Sequence, residues 1–139
     1  MNSLLDIRTT LITKAIEIIN QYNTDNTANV GFTSDNDKAF DPSLYEQFVA
    51  FFYIPAANEQ VGKKGSPDED EGIAQISVYV ESQSGKYDLD QLKIVDAIRA
   101  GFRDAELDGI SISDINVNGG RSEESWFVRD ISVNWYKLS

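Results

Sequence analysis

The sequence predicts an α+β domain, a mainly antiparallel or mixed four-stranded sheet with two flanking helices. Three observations carry this. Ala74, Ile76, Val78 and Val80 alternate with Gln75, Ser77, Tyr79 and Glu81, the period of two of a strand with one face on a core. Leu4, Ile7, Leu11, Ala15, Ile18 and Tyr22 recur at three- and four-residue steps, the period of an amphipathic helix. A second helical stripe and two further alternating segments follow residue 86, giving the order helix, strand, strand, helix, strand, strand.

The first helix begins at Ser3-x-x-Asp6, a capping-box pattern ahead of an apolar run. Leu5, Ile12, Ile16 and Ile19 widen its stripe, as in a helix covered on more than one side. From Asn20 to Asn29 the chain is rich in Asn, Asp and Thr, which compete for the backbone and are expected to end the helix. Residues 24–43 are a polar connection with Val30, Phe32 and Phe40 as its apolar residues; it holds either a short strand around Val30–Thr33 or an arm that docks on a partner.

Phe48 to Ile54 is a continuous apolar and aromatic run closed by Pro55, as in a strand covered on both faces. Residues 55–71 read as a long hairpin loop, with two glycines, Pro67, the pair Lys63-Lys64 and the acidic run Asp68-Glu69-Asp70-Glu71. The second helix spans about Asp88 to Arg103, with Leu89, Leu92, Val95, Ile98 and Phe102 as its buried stripe. Ala97 and Gly101 leave room for close approach to a sheet, and Asp96 and Arg99 are spaced to pair on the surface. Gly109 opens the strand Ile110–Val117, whose alternation slips at Asp114-Ile115 as at a β-bulge. Asn118-Gly119-Gly120 is a turn into a last strand, Ser125 to Leu138, with Phe127, Ile131, Val133 and Trp135 on one face and Trp126 and Tyr136 on the other.

Composition bounds the chemistry. The 139 residues suit one domain, 1–139, and 41% hydrophobic residues suffice for a core. With no His and no Cys, imidazole acid–base catalysis, Ser–His dyads, disulfides and His- or Cys-ligated metals are excluded. The 23 acidic against 12 basic residues give a net charge of −11, which repels nucleic-acid phosphates. No apolar run approaches the ~20 residues of a bilayer span, and Met1-Asn2-Ser3 does not open a signal peptide.

No candidate site carries catalytic equipment. The acids at 68–71 lack the alternating spacing and internal glycine of a calcium loop, and read as solvated loop charge. Asn118-Gly119-Gly120-Arg121 lacks the Lys-Ser/Thr and following helix of a phosphate loop. No spacing singles out a carboxylate pair for glycoside cleavage. The expectation is a protein that is not an enzyme and takes no cofactor or metal. Trp126 and Tyr136, large groups on the face away from Trp135, are candidates for a subunit interface.

Phe48-Val-Ala-Phe-Phe-Tyr-Ile-Pro55, the glycine-bearing loop to Gly72, Gly72-Ile-Ala-Gln-Ile-Ser-Val-Tyr-Val80 and Leu92-Lys-Ile-Val-Asp-Ala-Ile-Arg-Ala-Gly-Phe102 resemble tail terminator proteins of long-tailed bacteriophages, the lambda U-like group. The resemblance extends through the tryptophan-bearing final strand and so covers most of the chain. It implies a hexameric ring at the head-proximal end of the virion tail, assembled in the host cytoplasm. Such a ring stops polymerisation of the major tail-tube protein, receives the head-completion or connector protein, and leaves a lumen through which DNA passes without specific binding. On this reading the 55–71 loop makes the partner contact through Lys63, Lys64, Asp68, Glu69, Asp70 and Glu71. The alternatives are another head–tail connector or minor tail protein, and a small acidic binding domain of a secretion-type machine.

Overall fold

Two helices lie on one face of a single mixed sheet in the computed structural model, which describes residues 4–34, 39–55, 69–82 and 87–138. In chain order the elements are α1 (Leu4–Asn26), β1 (Gly31–Ser34), a 3₁₀ turn (Pro42–Leu44), β2 (Gln47–Pro55), β3 (Glu69–Glu81), α2 (Tyr87–Arg103), β4 (Ile110–Val117), β5 (Arg121–Glu123) and β6 (Trp126–Leu138). The 6-stranded sheet runs β1-β2-β3-β6-β4, with β5 also paired to β6. It is α+β, as the sequence predicts, with two strands more than the four expected. Both additions, β1 and β5, are too short to show a period of their own.

α1 runs on to Asn26 and ends inside the Asn/Asp/Thr-rich stretch Asn20–Asn29 expected to stop it, though later than its first residues. The competing side chains satisfy themselves within the helix: Thr24 Oγ1 donates to the Asn20 carbonyl (3.1 Å) and Asn26 Nδ2 to that of Tyr22 (3.0 Å). The helix ends where Thr27 turns left-handed, at φ 50. Asn23 then acts as a substitute strand for Val30, its Oδ1 accepting from the Val30 N–H (2.8 Å) and its Nδ2 donating to the Val30 carbonyl (3.1 Å). This clip aims the chain into β1, which pairs parallel with β2. The 24–43 connection thus contains the short strand and not a free arm throughout.

β3 is the middle of the sheet, paired antiparallel to β6 along its length and to β2 from Gly72 to Val80. Its helix-side residues Ala74, Ile76, Val78 and Val80 are fully buried, against Val49 and Phe51 of β2 and Ile131, Val133 and Trp135 of β6. β3 begins at Glu69, so Glu69, Asp70 and Glu71 belong to a strand and not to the loop assigned to them. Lys63, Lys64 and Asp68, and Ser3 of the expected capping box, lie outside the described residues. The expected slip in β4 is present: the register to β6 shifts between Ile112 and Asp114, with Ser113 the extra residue. The last strand is preceded by β5 through a tight turn at Glu124-Ser125, with Glu124 at φ 53, so the Asn118-Gly-Gly turn leads into β5 instead.

α2 seats a face rotated from the expected one. Gln91, Ile94, Val95, Ile98 and Phe102 are buried, whereas Leu89 and Leu92 are 54% and 40% exposed. The rotation follows from Gln91, fully buried, whose Nε2 donates to the carbonyls of Val78 (3.0 Å) and Phe127 (3.1 Å) while its Oε1 accepts from Arg129 Nε (3.0 Å). A polar side chain can enter a core when every donor and acceptor finds a partner, and here it pins α2 across β3 and β6. Gly101 makes room for α1, not for the sheet: a Cβ there would stand 2.5 Å from Ile18 Cδ1.

Candidate functional site

The sheet face away from the helices is the candidate interaction surface. Period-two alternation carries Phe48, Phe52 and Ile54 of β2, Ile73, Gln75, Ser77 and Tyr79 of β3, and Trp126, Asp130, Asn134 and Tyr136 of β6 onto it. Neither α1 nor α2 covers this side, yet it is far from uniformly polar.

At one end the segment before β2 folds back over the sheet. Phe40 stacks on Tyr45 at 5.3 Å between centroids and meets Phe48 at 5.1 Å. Phe48 stacks on Tyr79 at 4.4 Å, and Trp126 stands edge-on to Phe48 at 5.0 Å and to Tyr79 at 6.2 Å. These offset and edge-to-face contacts bury Phe48 and hold Trp126 half-buried. The Tyr79 hydroxyl titrates above its ordinary value, first through burial, then through the carboxylates of Glu123 and Asp130, with Arg121 opposing.

A charged bar crosses the middle of the face. Ser77, 2% exposed, donates from Oγ to Asp130 Oδ1 (2.7 Å); Arg121 donates from Nη1 to Asp130 Oδ2 (2.6 Å) and from Nε to Glu123 Oε2 (2.8 Å). Donating to these two carboxylates, Asp130 first and then Glu123, raises the Arg121 pKa above its ordinary value. The Ser77–Asp130 pair resembles part of a hydrolase triad only in its residue types. Its carboxylate is neutralised by Arg121, and no imidazole exists in the chain to take the hydroxyl proton. The bar is structural, holding β5 onto β6 and β3.

Beyond the bar the surface opens. Ile54 is 43% exposed and Phe52, Ile73 and Tyr136 are half-buried, with no covering element among the described residues. Tyr136 sits opposite Glu71 in the register, so the structure brings the candidate Tyr136 together with one of the candidate acids. It does not bring Tyr136 together with Trp126: ten residues of strand put them roughly 30 Å apart, at opposite ends of one face.

Several features were hidden from sequence reasoning. Nothing in the sequence singles out Asp130, and its partner Ser77 lies 53 positions away. The placement of Gln91 in the apolar register of α2 was the available signal for the core clamp. A cleft of about 860 Å³ runs between α1 and α2, edged by Lys14, Glu17, Tyr22, Lys93 and Asp96 with Gly101 in its wall. A smaller one of about 280 Å³ lies where Arg99 and Arg103 overhang β4. Among the described residues no three His, Cys, Asp or Glu side chains cluster to hold a metal, and no helix is long and apolar enough to cross a membrane.

No protein-family model matches the chain, and no curated protein matches it by sequence. In fold, 21 chains of solved structures match. One of them, whose designation is a serial number without functional content, superposes with a TM-score of 0.66 over 95% of this chain and 95% of its own, at 14% identity. The agreement over both full lengths shows a shared fold.

Proposed function

We propose that this chain is a structural tail-completion protein, forming a hexameric ring that caps the tail tube, stops its polymerisation and receives the head-completion protein. The observation that carries the reading is where the resembling segments fall. Phe48–Pro55, Gly72–Val80 and Leu92–Phe102 fall in β2, β3 and α2; β2 pairs with β3, α2 packs on β3, and all three contribute to the core. A likeness confined to one helix or one hairpin would carry far less.

The open sheet face supports the same reading. A protomer in a ring needs surface that is incompletely covered when alone, and the Ile54, Phe52, Ile73 and Tyr136 end of the sheet supplies it. The −11 charge suits a lumen that double-stranded DNA must traverse without adhering.

Negative-stain electron microscopy of the concentrated protein, alone and with isolated tails, tests this. Sixfold rings with a central hole, or a cap at the tube end, are the expected result. Tails that keep growing and bind none of the protein overturn the reading. Deleting Gly62 to Asp68 then tests the loop as the tube contact, since a cut reaching Asp70 removes the start of β3 and its pairing with β6. The shortened protein should fold yet fail to cap tails.

A further inference from the structure

Arg99 and Arg103 stand one turn apart on α2, on the side overhanging β4. Like charges at this spacing repel and destabilise a helix unless something offsets them. Arg103 is favoured by the last turn of the helix, but among the described residues neither guanidinium has a hydrogen bond or ion pair, and the expected Asp96–Arg99 pair does not form. The Arg99 Nε is buried without a hydrogen-bond partner, an expensive state for a charged donor. In a chain with 23 acidic residues and 12 basic ones, two such arginines side by side call for an occupant.

The cleft they border has room for one. It encloses about 280 Å³ and is walled by Ile112, Ser113, Asp114 and Ile115. Four consecutive residues of β4 line it, across the bulge at Ser113, and β4 ends the sheet with one edge facing away from β6. That edge has no partner strand among the described residues and offers backbone N–H groups beside the arginines. Asp114 is the one carboxylate in the lining, and its Oδ1 already accepts from Asn116 Nδ2 (3.3 Å) and Asn134 Nδ2 (3.4 Å).

We propose that the Arg99–Arg103 cleft is a carboxylate-binding site, filled by an acidic side chain of a second copy of this chain. The inference deepens the ring reading and rests on it. The guanidinium ends match a planar carboxylate, and the occupant's charge relieves the mutual repulsion. Charge complementarity selects the second copy. Copies carrying −11 each repel, so a stable contact between them must place basic groups against acidic ones, and these two arginines have no acidic partner among the described residues. A nucleic-acid backbone is disfavoured, because two arginines beside Asp114 make too small a positive footprint against that net charge.

Sedimentation velocity over a concentration series, in about 0.05 M and about 0.5 M salt, tests the proposal on the full chain. Wild type should self-associate and weaken with salt. Arg103→Glu, at an exposed position, should weaken association at least about tenfold. Arg99→Lys, which keeps the charge and loses the fork, should weaken it as well, with circular dichroism confirming both variants are folded. Assembly that ignores both substitutions overturns the site and leaves the ring reading standing. Arginine-dependent assembly that stops at a dimer supports the site and overturns the sixfold ring. Wild type that stays monomeric throughout removes the second copy as occupant, and the ring reading is then decided on isolated tails. DNA binding lost in the same variants, without self-association, makes phosphate the occupant and overturns the proposal.

Discussion

Ile18 of α1 fills the space that Gly101 of α2 leaves empty, with Cδ1 and Cγ1 each 2.5 Å from where a Cβ would stand. The helix–helix crossing is set by this pair. Gly101→Ala gains roughly 1 kcal/mol of helix propensity but forces Ile18 outward, at roughly 1–3 kcal/mol for overpacking. The net expectation is a loss of about 1 kcal/mol in urea denaturation. In an Ile18→Ala background the same substitution should be neutral or stabilising. If the two effects simply add, the packing account is wrong.

Gln91 is the polar bolt between α2 and the sheet. Gln91→Leu removes the donors to Val78 and Phe127 and the acceptor for Arg129 Nε, leaving that guanidinium short of a partner. A loss of about 2–3 kcal/mol is expected by chemical denaturation, with Leu89 and Leu92 free to compete for the buried position as α2 rotates. Unchanged stability would show that the clamp is not needed.

Tyr79 and Tyr22 make stability pH-dependent at the alkaline end. Both hydroxyls titrate above the ordinary 10.0, chiefly because burial penalises the phenolate, with Asp90 adding to the effect at Tyr22. A group whose folded pKa is raised contributes fully below its unfolded pKa and loses that contribution as pH rises through the folded one. Stability should therefore hold up to about pH 9 and fall above about pH 10. Tyr79→Phe should flatten part of that fall in denaturation curves taken across this range. An unaltered slope would place the dependence elsewhere.

The two tryptophans report on different places. Trp135 is 1% exposed in the core, whereas Trp126 is half-buried beside Phe48 and Tyr79 on the open face. Acrylamide should quench Trp126 and spare Trp135, so Trp126→Phe should remove most of the quenchable emission. If assembly covers this face, that quenching should fall when rings form. Quenching that stays constant in assembled protein would move the interface away from Trp126.

Much of the scaffold was legible in the sequence because it depends on local period. The alternation of Ala74 to Val80, the helical stripe from Ile7 to Tyr22 and the slip near Asp114 each occupy a few neighbouring residues and report burial directly. The resemblance to tail terminators rests on that same legible part, β2, β3 and α2. The absence of His and Cys needed no structure to exclude whole classes of chemistry.

What only the tertiary structure decided are relationships between distant residues. The parallel pairing of the four-residue β1 with β2 cannot be read from Gly31–Ser34 alone, and it is fixed by the clip from Asn23 to Val30. The rotation of α2 was lost to the sequence because leucine outweighs glutamine in any hydrophobic count, while burial of Gln91 depends on carbonyls of two strands and an arginine 38 positions away. The bar from Ser77 through Asp130 to Arg121, and the meeting of Arg99 and Arg103 with β4, have the same origin. Periodicity reports which side of an element faces apolar surroundings; which polar groups meet across that surface is settled only when the elements pack and every buried donor must find an acceptor.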